Sequence, residues 1–88
     1  MQQVDPNRVR ADLLDIELDL VTTFLRIARA SPVAETRRRN YTHAREAYQM
    51  AGRYRSLIKV SARVDRAIEL KFRDAEVELA AARSLHDH

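Results

Sequence analysis

The chain's two prolines stand in Asp5-Pro6 and Ser31-Pro32, and its single glycine is Gly52. That scarcity of breakers is what most limits the fold. Proline suits the first turn of a helix, where its missing N–H is not needed, and an Asp or Ser just before it can accept a bond from an orphan amide. Nothing between the two prolines forbids a helix, so the spacing predicts a first helix from about 6 to 30. Each cap contributes about 1 kcal/mol. Glu35, in the turn after Pro32, adds a carboxylate at the positive end of a second helix.

Two breaks compete further along. Gly52 could end the second helix, although a lone glycine inside a helix costs only about 1 kcal/mol against alanine. The stretch "RSLIKVS" is the alternative, because Ile58 and Val60 favour extended backbone and Ser61 can cap a third helix. That choice predicts helices at about 6–30, 33–55 and 61–86. Matched lengths suit an all-α, three-helix antiparallel bundle with short connections. A single helix from 33 to 86 is the competing picture, and half of it would then need cover from a partner.

Eighty-eight residues make one small domain, 1–88. A chain this short buries only about 60–65% of its unfolded surface, so its core must be well packed or shared. There is no cysteine to staple it. The longest apolar runs fall short of the roughly 18 residues that cross a bilayer, and "MQQVDPNRVR" has no apolar signal region. A cytoplasmic domain without membrane contact is expected.

The net charge of +3 is unevenly spread. Residues 37–66 carry nine basic and two acidic groups, whereas both flanking segments are mildly acidic. A bundle can neutralise this by laying the basic second helix against its neighbours.

The first helix carries two apolar stripes at helical spacing. Val9, Leu13, Ile16, Leu20, Phe24 and Ile27 form one; Leu14, Leu18, Val21, Leu25 and Ala28 form the other. A helix of this kind needs contact on two sides. The second helix offers mainly alanines and tyrosines, which cannot cover both, so Leu14, Leu18, Val21 and Leu25 are expected to form an interaction patch. Leu70 and Val77, one heptad apart on the far side of the third helix, supply a second candidate surface. The third helix is expected to pack through Ser61, Val64, Ile68, Phe72, Ala75, Leu79 and Ala82. A homodimer is the simplest way to close such patches.

In the second helix Tyr41, Ala44, Tyr48 and Ala51 recur with 3-4-3 spacing. The run "YTHAREAYQMA" resembles the second helix of a tetratricopeptide repeat, and these four residues occupy its matching positions. The resemblance covers residues 41–51 and implies a helical hairpin that binds protein.

Arg37, Arg38, Arg39, Arg45, Arg53, Arg55 and Lys59 interleave with Tyr41 and Tyr54, a residue set that could grip phosphate and stack bases. The competing reading is a solvated face whose arginine stems cover neighbouring helices. Asp12, Asp15 and Asp19 share a face, where they suit the N-terminal half of a helix as well as a cation. Glu17 lies between the apolar stripes and is expected to bond Tyr48 or Arg45. No metal, cofactor or catalytic set is expected, since no second group converges on Glu17 and no phosphate loop or nucleophile-base pair occurs. The expected function is therefore a non-enzymatic interaction or self-assembly module. A small nucleic-acid-binding protein is the alternative.

Overall fold

The computed structural model describes residues 5–86. They form α1 (Pro6–Ala30), α2 (Ala34–Leu57) and α3 (Ala62–His86), with no strand among them. The Asp5 carboxylate accepts from the Asn7 backbone N–H at 3.0 Å, with Pro6 in the first turn. Ser31 behaves differently from the expected second cap. Its backbone N–H closes α1 on the Ile27 carbonyl, and its hydroxyl accepts from the Val33 N–H at 3.2 Å. Val33 is the N-cap of α2 and makes no side-chain cap bond. Ser31 thus turns the chain rather than starting α2.

The second break falls at residues 58–61, and Gly52 lies inside α2. Ile58 is extended, and the Ser61 hydroxyl caps α3 by accepting from Val64 N–H at 3.3 Å. The long continuous helix is thereby excluded. Asn7 ties this loop to the start of α1: its amide donates to the Lys59 carbonyl at 2.6 Å and its carbonyl accepts from the Lys59 N–H at 2.7 Å.

The helices run up, down and up. Asp15 meets Lys71 and Thr22 meets Glu78, so α1 and α3 are parallel. Tyr48 meets Glu76 and Arg55 meets Glu69, so α2 is antiparallel to α3. The backbones of α1 and α2 approach most closely, and the cause is local: Ala44, Ala47 and Ala51 face Leu14, Leu18, Val21 and Leu25 across the hairpin. Ile68, Phe72, Ala75 and Ala82 complete the core from α3. Fully burying each large aliphatic side chain stabilises by roughly 1.5–3 kcal/mol.

The molecule is a slab of 49 × 28 × 17 Å. Its accessible surface is 6594 Å², against about 5,300 Å² for a compact monomer of this mass. An elongated molecule exposes more surface than a compact one of equal mass.

Candidate interaction surface

The structure reverses the roles of the two α1 stripes. Leu14, Leu18, Val21 and Leu25 are 0–5% exposed and form the centre of the core. They are not an interaction patch. Alanines on α2, far from failing to bury them, let the helices close until those four side chains are enclosed. The opposite stripe is left outside, with Val9, Ile16 and Ile27 39, 53 and 44% exposed. Leu20 and Phe24 pack against the core edge and keep part of their surface outward.

Two residues of α2 extend this face. Met50 and Leu57 are exposed and stand one heptad apart, and His43 precedes Met50 by another. That seven-residue spacing is the sequence signal for them. It is weak, because it is visible only once α1's outer stripe is known to lie beside it. Phe24 and His43 join the two helices, their ring centroids 5.3 Å apart. Together these residues make one side of the α1–α2 hairpin, opposite the side that α3 covers.

Glu17 lies in a shallow groove of about 270 Å³ on that side, among Phe24, His43, Glu46, Ala47 and Met50. The expected bond to Tyr48 or Arg45 does not form. Tyr48 faces α3 and donates its hydroxyl to Glu76 at 2.5 Å. Burial, with this bond second, raises the Tyr48 pKa from 10.0 to about 12. Glu17 is half-buried and makes no hydrogen bond or ion pair among the described residues.

Leu70 and Val77 are 62 and 70% exposed on α3. Asp74, also exposed, lies between them at helical spacing. A carboxylate there interrupts the apolar surface, so the pair forms no continuous patch. Val64, expected in the core, is exposed at the start of α3.

The basic residues divide into groups. Arg55 is committed to α3: it bonds Glu69 at 2.6 Å, lies 3.5 Å from Asp65 and stands 5.1 Å over the Phe72 ring. The bond raises the Arg55 pKa and holds Glu69 below the usual carboxylate range. Arg37 donates to the Ser31 carbonyl, and Arg39 pairs with Glu35 at 3.5 Å. Arg38, Arg45, Arg53 and Lys59 are exposed. Arg45 shares an open groove of about 330 Å³ between α2 and α3 with Arg83, Tyr41, Tyr48 and Gln49.

Of the three aspartates of α1, Asp15 and Asp19 lie by Lys71 and Asp12 stands apart. Asp15 pairs with Lys71 at 2.5 Å, and that bond raises the Lys71 pKa. Asp12 faces solvent without a partner among the described residues. No described cluster of three His, Asp or Glu residues could hold a metal ion. Among the described residues no helix is long and apolar enough to cross a membrane.

Comparison with protein-family models, with curated proteins and with solved structures finds no match to this chain.

Proposed function

We propose that this chain is a non-enzymatic helical module of the cytoplasm that acts by protein–protein contact, self-assembly included. One observation carries the reading: α1 has two apolar stripes and the fold covers only one of them. Val9, Ile16 and Ile27, with Met50 and Leu57 beside them, stay in water on a single face. Exposed apolar side chains gathered on one face of a small protein mark an interaction site, and here the carboxylates Glu17 and Glu46 lie in the groove beside them. The resemblance of α2 to a tetratricopeptide helix points to the same class.

The alternative is nucleic-acid binding through the α2–α3 groove, where Arg45 and Arg83 flank Tyr41 and Tyr48. It is the weaker reading because Arg55 is held by Glu69 and Arg37 by the Ser31 carbonyl.

Photo-cross-linking in the cell separates the two. A photoreactive side chain at position 16 should form protein adducts that the same group at position 74 does not. Nucleic-acid adducts from position 45, with no protein adduct from position 16, would overturn the proposal.

A further inference from the structure

The uncovered side of the α1–α2 hairpin is large enough for a stable interface. A 25-residue helix is about 37 Å long, and two packed helices present a width of about 19 Å. Their product is about 700 Å², close to the ~800 Å² per partner of a standard interface. Area alone does not choose the occupant. Charge does.

At the rim of this face α1 carries Asp12 and α2 carries Arg53, both exposed and neither paired among the described residues. They stand on opposite outer edges, because Asp12 lies on the flank of α1 away from α2 and Arg53 on the flank of α2 away from α1. The register of the hairpin sets Phe24 beside His43 and Glu17 beside Met50. Continued toward the start of α1, it brings Asp12 to the height of Arg53.

A second copy turned about a two-fold axis parallel to the helices would lay its α2 on this α1 and its α1 on this α2. Every neighbouring pair would then be antiparallel, as in a four-helix bundle. Each Asp12 would meet the Arg53 of the other copy, twice over. The other two-fold, perpendicular to the helices, would stack α1 on α1 and α2 on α2, and Asp12 would then not meet Arg53.

We infer that a second copy of this chain occupies the outer face of the α1–α2 hairpin, centred on Ile16 and Met50 and oriented by reciprocal Asp12–Arg53 pairs. The inference rests on the interaction-module reading and names the partner.

The test is sedimentation equilibrium of the full chain at about 100 μM, a hundred times a micromolar Kd. The expected result is a dimer mass. Asp12→Arg alone and Arg53→Asp alone should each weaken the dimer by about tenfold or more, since like charges then meet twice across the interface. Combining them should restore it. Circular dichroism of each variant checks that the helices persist, and Leu70→Glu should leave the dimer unchanged. A monomer mass for the unaltered chain overturns the inference, as does a dimer that Leu70→Glu breaks or that the combined swap fails to restore. If the chain is monomeric while position 16 still cross-links to another protein in the cell, self-pairing fails and the interaction-module reading stands. If position 16 also gives no protein adduct, both fail.

Discussion

The Asn7 side chain pairs with both backbone groups of Lys59, fifty-two residues away, through bonds of 2.6 and 2.7 Å. One amide thus satisfies the loop that separates α2 from α3 and fixes that loop to the first turn of α1. Asn7→Ala should lower stability by about 1–2 kcal/mol, the worth of two partly exposed hydrogen bonds. Thermal unfolding should show a midpoint lower by several degrees, since about 1 kcal/mol shifts a domain of this size by about 4–8 °C. Asn7→Asp keeps the acceptor and loses the donor, so it should fall between the two.

Gly52 points the other way. It lies within α2, and a methyl group added there would meet nothing within 4 Å. Alanine restricts the unfolded chain and favours helix, so Gly52→Ala should stabilise by about 0.5–1 kcal/mol. Urea unfolding of the variant should give a higher midpoint and an unchanged slope. A lower midpoint would contradict the open space beside Gly52.

The two stripes of α1 should respond unequally to truncation. Leu18 is 5% exposed and Ile16 is 53% exposed. Leu18→Ala removes buried contacts and leaves a cavity, costing about 2–5 kcal/mol. Ile16→Ala, measured at about 10 nM, about a hundredfold below a micromolar Kd, should cost under about 1 kcal/mol.

Much of the fold is legible from local chemistry. Asp5-Pro6 marks the start of α1, and Ser61 after an extended Ile58 marks the start of α3. Tyr41, Ala44 and Ala51, like Ile68, Phe72, Ala75 and Ala82, repeat at helical spacing and are buried where that spacing places them. The choice between the stripes of α1 is not legible, because both have the same period and similar apolarity. It depends on how closely Ala44, Ala47 and Ala51 let α2 approach, a property of the pair of helices. The partner of Tyr48 is hidden for the same reason: whether it faces Glu17 or Glu76 depends on which side of α2 receives α3. Val64 misleads because it fits the α3 stripe but stands in the helix's first turn, beyond the core.

Acid should loosen α3 from α2. Arg55 holds Glu69 below its ordinary range, so the stability this carboxylate contributes is present above the unfolded value, near pH 4.3–4.5, and is lost as pH falls through the lowered one. The thermal midpoint should drop over that acid range, and Glu69→Gln should flatten the drop while lowering the midpoint at neutral pH. Arg55→Ala should cost more than Glu69→Gln, because it also strips the guanidinium from the Phe72 ring.

At alkaline pH the sensitive group is Tyr48. Its pKa is raised to about 12, so the stability linked to its neutral form is complete below about pH 10 and is lost as pH rises from there toward 12. Titration followed by tyrosinate absorbance should show a late component that Tyr48→Phe removes. Glu76→Gln should move it earlier yet leave it above the ordinary value, because burial is the larger cause.

The outer face of the hairpin is where a second copy should bind, and the absence of native cysteine makes that face directly measurable. Ile16→Cys and Leu70→Cys each place one thiol on an exposed position of the chain, one on the outer hairpin face and one on α3. The rate of thiol alkylation is measured at each position while unlabelled chain is added from about 0.01 to about 100 μM, a range that brackets a micromolar Kd. At position 16 the rate should fall with added chain and level off, whereas at position 70 it should stay constant. A rate at position 16 that ignores added chain, or one that falls equally at position 70, would contradict pairing through this face.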